Sequence, residues 1–171
     1  MPRRLAIVGS YEVEVLEYQD GPLGAHEVRV QTELASGKHG TTFGMFDGRT
    51  FEGQEFNLEW RLFVEAEPKP VGTKPRAPGN TGTTGVGTVV EVGSEVRRWQ
   101  VGDRVFGFMD VRETNVVGED RLWALGDLDP KLALCVEPAY VAFHCVRESQ
   151  VRYGESVAVI GLGALGMLAV R

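Results

Sequence analysis

The chain opens on short apolar runs set between polar positions. Leu5-Ala6-Ile7-Val8 is followed by Glu12–Tyr18, where Val13 and Val15 alternate with Glu12 and Glu14. In Glu27–Ala35, Val28 and Val30 alternate with Arg29 and Gln31. A period of two turns one set of side chains to a core and the other to water, so each run predicts a β-strand. Gly21-Pro22 and Gly24 punctuate the gap before the third run. Further on, Gly85–Val96 mixes glycines with β-branched residues, and Trp99–Phe108 turns through Gly102-Asp103 into another apolar stretch. Asn115–Val117 and Leu122–Leu125 predict two more short strands. Many short strands with glycine turns suit a small barrel or sandwich rather than a flat sheet.

Two regions break this rhythm. Residues 37–85 carry many glycines, Pro68, Pro70, Pro75 and Pro78, and scattered aromatics including Phe43, Phe46, Phe51, Phe56, Trp60 and Phe63. They predict long ordered loops packed on the sheet, the kind that shape a substrate pocket or cover a barrel end. After Pro130 the period lengthens, and Lys131–Glu148 predicts a helix with Asp129 as N-cap and Pro130 in the first position. Pro138 lacks an N–H, which predicts two helical pieces meeting near Glu137-Pro138. Ser156–Ile160 is an unbroken apolar run of the kind found in buried parallel strands.

Composition narrows the function. The 171 residues have a net charge of −6, which opposes nucleic-acid binding because phosphate neutralisation needs surplus Lys and Arg. No run approaches the roughly 18 apolar residues that span a bilayer, and Leu5–Val8 is too short for a signal-peptide core, so a cytoplasmic protein is expected. Two cysteines, Cys135 and Cys145, suggest no disulfide framework and cannot form a four-cysteine zinc site.

The strongest motif follows Ser156–Ile160. Gly161, Gly163 and Gly166 fit G-x-G-x-x-G between an apolar strand and a helix-like run. The first glycine permits a tight turn, the second lets the backbone approach a pyrophosphate, and the third lets helix and strand pack closely. Gly161, Gly163, Ala164, Leu165 and Gly166 are therefore the candidate cofactor-binding residues. A dinucleotide fold needs several βα units, and its acidic ribose ligand would fall past Arg171. The chain is expected to hold only the start of such a domain and to be inactive by itself.

The order of "EVRVQTELASGKHGTT", "GVGTVVEVGSEVRRWQVGDRVFGF", "CVEPAYVAFHCVRES" and "GESVAVIGLGALGMLAVR" resembles the N-terminal half of the medium-chain dehydrogenase/reductase superfamily, the alcohol dehydrogenase-like proteins. The resemblance implies a mainly β fold, with a GroES-like catalytic barrel and C-terminal helices over residues 1–150 and the truncated first βα unit of a Rossmann domain over 151–171. It implies hydride transfer between NAD or NADP and an alcohol or carbonyl. The segment Cys135–Arg147 looks most like the polyol dehydrogenase branch. A small-molecule substrate and a homo-oligomer in the full-length protein follow from the same likeness.

The family's catalytic metal does not transfer with it. In zinc-dependent relatives a cysteine ligand stands at the position of His39 and an aspartate at that of Thr42. Their Gly-His-Glu motif falls at Thr83 and Thr84 here, and no histidine lies between His39 and His144. Glu137 matches a position that supplies a ligand in some relatives. His39 and Glu137 alone do not make the three-ligand shell of a catalytic zinc. A zinc-free site is therefore expected, although Asp47 or Glu52 could complete an irregular zinc site in a polyol dehydrogenase. A non-catalytic GroES-like binding module is the alternative from another class.

Without a metal, a protein group must meet the substrate oxygen. Thr41 matches the family's proton-relaying hydroxyl, while the distal relay histidine is replaced by Gly44. A histidine suits acid–base work near neutrality and His39 lies in the same turn, so His39 and Thr41 are the candidate catalytic residues. Lys38, Thr42 and Glu137 are the candidate substrate contacts. His144 reads as a packing residue, Trp99 and Val101 as barrel core, and Glu65 and Glu67 as a solvated face.

Overall fold

The computed structural model describes residues 1–47, 54–60, 62–65 and 81–171. Period-two alternation produces strands close to where it predicts them. β1 (Arg3–Gly9) and β2 (Glu12–Glu17) form an antiparallel hairpin. β3 (Glu27–Ser36) is followed by helix α1 (His39–Phe46) and the small hairpin of β4 (Gln54–Asn57) and β5 (Leu62–Glu65). β6 (Thr84–Val92), β7 (Arg104–Gly107), β8 (Thr114–Gly118) and β9 (Leu122–Ala124) complete a five-stranded antiparallel sheet with β3, in the order β8-β3-β6-β7-β9. α2 (Pro130–Ala133), α3 (Val136–Glu148) and α4 (Ala164–Val170) follow.

The alternating residues meet on one side of the sheet. Val28, Val30, Val89, Val105 and Leu122 are fully buried and pack with Met109 and Val117, with Trp99 against their edge. Burying each Val or Leu contributes about 1.5–3 kcal/mol before chain entropy is subtracted. A second cluster of Val86, Phe106, Leu125 and Ala133 fastens α2 to β6 and β7. Residues 111–113 bridge the hairpin to the sheet. Leu5 donates to the Val111 carbonyl at 2.9 Å, Glu113 donates to that of Arg3 at 2.9 Å, and Thr32 donates to that of Glu113 at 2.9 Å. This is the mainly β architecture of a GroES-like barrel with helices appended.

Several local expectations change. The stretch 37–47 is not all loop: α1 begins with Thr42 N–H donating to the Lys38 carbonyl at 2.7 Å and ends with Asp47 N–H donating to that of Phe43 at 2.9 Å. Gly40, Gly44, Thr41 and Thr42 have poor helix propensity, and packing overrides it. Phe46 meets the Tyr11 ring edge-on at 5.3 Å and accepts the Tyr11 N–H at 2.6 Å. Helices α2 and α3 part at Leu134-Cys135, before Pro138. Pro138 instead occupies the first turn of α3, where an N–H would have no helical partner. Asp129 caps α2 as expected, accepting from Lys131 N–H at 2.7 Å.

Ser156–Ile160 forms no strand, because among the described residues nothing pairs with it, and Ile160 is 99% exposed. Val101 is 61% exposed and is not barrel core. His144 is exposed and stacks on Tyr140 at 6.0 Å rather than packing inside. Phe51, Glu52 and Glu67, with the side chains of His39 and Phe56, lie outside the described residues. No helix among the described residues is long and apolar enough to cross a membrane.

Candidate active site

Four segments converge at one end of the sheet. The first is the exit of β3. Ser36 ends the strand and Gly37 makes a turn so tight that a Cβ there would sit 2.4 Å from the Thr81 carbonyl oxygen and 2.6 Å from Thr42 Oγ1. Lys38 then caps α1 with an extended backbone, which places Thr41 in the helix's first turn.

The second segment is 81–84, leading into β6. Thr83 N–H donates to the Ser36 carbonyl at 2.8 Å and the Thr83 hydroxyl donates to the same oxygen at 3.4 Å. Asp110 holds this segment from below. Its Oδ1 accepts from the N–H groups of Thr81 at 2.8 Å, Gly82 at 2.7 Å and Val111 at 2.9 Å. Asn115 in turn accepts the Asp110 N–H at 3.0 Å and donates to Thr32 Oγ1 at 3.0 Å.

The third segment is the first turn of α3. Glu137 lies there, 11% exposed at its side chain, with Oε1 2.5 Å from Lys38 Nζ. Its Oε2 is buried without a hydrogen-bond partner among the described residues. The fourth segment is the glycine turn. Gly161 has φ +92°, the left-handed conformation that favours glycine. Gly163 caps α4 in an extended conformation. A Cβ on Gly166 would meet the Gly161 carbonyl oxygen at 1.9 Å, so the turn closes on itself only because no side chain is there.

A cleft of about 330 Å³ joins these segments and is lined by Lys38, Thr41, Thr83, Glu137, Ala164 and Leu165 among others. The candidate catalytic hydroxyl of Thr41, the candidate substrate contacts Lys38 and Glu137, and two residues of the glycine turn therefore face one space. Thr42 does not line it. Its hydroxyl donates to the Thr81 carbonyl at 3.4 Å, and its side lines a separate groove with Phe43 and Phe46.

Glu137 also borders a second cavity of about 550 Å³, walled by Thr84, Phe106, Phe108, Trp123 and Tyr140. Phe106 stacks on Trp123 at 5.8 Å and Phe108 meets it edge-on at 6.1 Å. Thr84 Oγ1 is buried without a hydrogen-bond partner among the described residues, like Glu137 Oε2. A buried polar atom left unpaired costs about 1–3 kcal/mol, which a ligand hydrogen bond would recover. Sequence reasoning did not single out these aromatic walls. The available signal was Phe106 and Phe108 two apart on an extended segment, and Tyr140 three residues after Glu137, one helical turn away.

Among the described residues the donor set makes no zinc shell, since no three His, Cys, Asp or Glu side chains gather into one. Thr83 has given its hydroxyl to Ser36, and the Lys38 ammonium holds one oxygen, Oε1, of the Glu137 carboxylate.

Known proteins share this fold. Residues 24–127 match the alcohol dehydrogenase GroES-like domain. The chain is 32% identical over 178 residues to D-guloside 3-dehydrogenase of Escherichia coli (strain K12), covering 99% of this chain and 50% of the relative. It is 32% identical over 138 residues to (R,R)-butanediol dehydrogenase of Bacillus subtilis (strain 168), covering 64% of this chain and 40% of the relative. A solved Escherichia coli oxidoreductase/dehydrogenase of unknown specificity, involved in membrane biogenesis, superposes with a TM-score of 0.74 at 19% identity, covering 99% of this chain and 53% of that one. The chain thus spans about half the length of the curated dehydrogenases it matches over nearly its whole extent. With the matched domain covering more than half of the residues, the chain belongs to the alcohol dehydrogenase GroES-like family of the medium-chain dehydrogenase/reductase superfamily.

Proposed function

We propose that this chain is the substrate-binding part of an oxidoreductase that transfers hydride between NAD or NADP and an alcohol or carbonyl without a catalytic metal. In this reading residues 1–150 form the catalytic domain and 151–171 begin the dinucleotide domain. The observation that carries it is the single cleft shared by Lys38, Thr41 and Glu137 with Ala164 and Leu165 of the glycine turn. When bound, the dinucleotide gives or takes the hydride. The chain's own contribution is to hold it and to orient the substrate. The Gly161–Gly166 turn, held tight by the missing Cβ at Gly166, offers bare backbone to a pyrophosphate. Thr41 and His39, within one turn of α1, are the proposed contacts of the substrate oxygen.

Both curated relatives described above are named for substrates that carry secondary hydroxyl groups, a guloside and a butanediol. This supports a secondary alcohol as the reacting group. The ammonium on Glu137 supports the metal-free reading over an irregular zinc site, and the steric closure of the glycine turn supports an enzyme over a non-catalytic module.

The test uses the polypeptide that joins this chain to a complete dinucleotide fold. Titration with NADH and NADPH, followed by fluorescence, should show binding of one of them. Binding of neither refutes the enzyme reading, and one tightly held zinc per chain on metal analysis refutes the metal-free part. His39→Ala should lower kcat by roughly 10²-fold, and an unchanged rate would remove the imidazole from the contacts of the substrate oxygen.

A further inference from the structure

Lys38 stands at the N-cap of α1 and is tied to a second helix. Its backbone is extended, with φ −76° and ψ 108°, and its side chain reaches across to the first turn of α3 instead of running into water. The Lys38 side chain is 29% exposed. An ammonium carries three N–H donors, and among the described residues Nζ has one partner, Glu137 Oε1. Two donors are left over at the lining of the cleft that also contains Thr41.

The partner is equally constrained. Glu137 is nearly buried, and its second oxygen has no hydrogen bond among the described residues. Half-satisfied ionic groups are costly in a partly buried place, and a pair of this kind is a weak source of stability. Stability alone therefore gives no reason to keep an ammonium here with two donors unused. Chemistry gives one. When a carbonyl carbon receives a hydride, the π electron pair moves to oxygen, and a cation already oriented toward that oxygen lowers the barrier without reorganising. Thr41, a neutral hydroxyl, supplies a smaller field at the same site.

We propose that Lys38 is a catalytic residue, the cation that receives the developing alkoxide oxygen, and that Glu137 is its positioning residue. The proposal rests on the hydride-transfer reading above. In the reduction direction, a C–H bond forms at the carbonyl carbon with hydride from the reduced nicotinamide dinucleotide. The C=O π pair becomes a lone pair on oxygen. An O–H bond then forms with a proton from a Lys38 N–H, whose bonding pair stays on Nζ, and the amine regains a proton from water. Alcohol oxidation runs the same events backwards. Glu137 Oε1 holds Nζ in place, and its free Oε2 remains open to a second substrate hydroxyl.

Two measurements test this. The first uses the polypeptide with a complete dinucleotide fold, with butane-2,3-diol and a methyl glycoside as the alcohols. Lys38→Met should lower kcat by roughly 10²-fold or more while leaving the dinucleotide Kd unchanged, the pattern of an interaction made mainly in the transition state. Lys38→Arg should retain part of the rate. Added ethylammonium should restore turnover to Lys38→Ala, which a packing role would not allow. Wild-type turnover in Lys38→Met overturns the proposal, whereas failure of both dinucleotides to bind overturns the function reading beneath it.

The second measurement needs no turnover. This chain has four lysines, so protein labelled with ¹³C at lysine Cε gives four signals. The signal lost in Lys38→Met should shift when acetamide, a neutral carbonyl probe, is added, and should respond less in Glu137→Gln. A Lys38 signal indifferent to both acetamide and Glu137→Gln overturns the proposal.

Discussion

Replacing Asp110 isolates the clamp that sets one wall of the site. Its Oδ1 accepts three backbone N–H groups, at 2.8, 2.7 and 2.9 Å, and among the described residues Oδ2 makes no hydrogen bond. Asp110→Ala strands the N–H groups of Thr81, Gly82 and Val111. A bond to a charged acceptor is worth about 1.5–3 kcal/mol, but these share one oxygen and water reaches part of the cluster, so the expected loss is about 3 kcal/mol. Asp110→Asn keeps an oxygen at the Oδ1 position and puts its NH₂ at the Oδ2 position. It loses only the charge, and the expected loss is about 1 kcal/mol. For a chain of this size these correspond to falls in Tm of about 6–12 °C and about 2–4 °C. Urea unfolding followed by tryptophan fluorescence reads both. If Asp110→Ala lies within about 0.5 kcal/mol of the parent, or Asn and Ala fall together, the clamp is not what holds residues 81–83.

Other perturbations carry distinct signatures. Gly37→Ala should destabilise the chain, since its Cβ would press on Thr81 and Thr42 at 2.4 and 2.6 Å, and a melting curve equal to the parent's would contradict this. Gly166→Ala, with a Cβ 1.9 Å from the Gly161 carbonyl, should weaken dinucleotide binding by about tenfold or more, read as a fluorescence Kd. Tyr140→Ala should raise KM with kcat nearly unchanged, because the ring walls the cavity away from the reacting oxygen; an equal fall in kcat would place it in the chemistry. The Glu119 carboxyl is held below its ordinary value of 4.5, first by the N–H groups of Arg97 and Arg98 and then by the His26 side chain. A depressed carboxylate stabilises the fold above its unfolded value and loses that contribution as pH falls through the folded one. Urea midpoints should therefore decline on acidification below the ordinary value, and Glu119→Gln should flatten that decline; an unchanged slope would sink the assignment.

The barrel was legible in the sequence because its signal is local. Val28 and Val30 announce a buried face within a few residues, and Val105 and Phe106 after Gly102 announce a strand buried on both faces. What depends on distant partners was not. Helix α1 forms on glycines and threonines because Tyr11 and Phe46 pack, and neither residue advertises the other. Pro138 marked a helix boundary correctly in kind, but a proline in a first turn and a proline at a break look alike until the cap is known. Ser156–Ile160 has the composition of a parallel strand, yet a strand exists only by pairing, and composition carries no partner. At the candidate site, the motif resemblance named Lys38, Thr41 and Glu137, which line one cleft. The ion pair between Lys38 and Glu137, and the aromatic cavity behind it, are products of folding that no spacing encodes.

Glu137 is a party wall. One carboxylate faces the cleft where Thr41 and the glycine turn meet and also the aromatic cavity beside Trp123 and Tyr140. Under the proposed function, a substrate tail that pushed on the cavity side would displace the same side chain that steadies Lys38 on the other. Discrimination among substrates and turnover would then depend on one shared side chain. A bulkier alcohol that presses on Glu137 should move both together, whereas a wall change that leaves Glu137 in place, such as Tyr140→Ala, should alter KM alone.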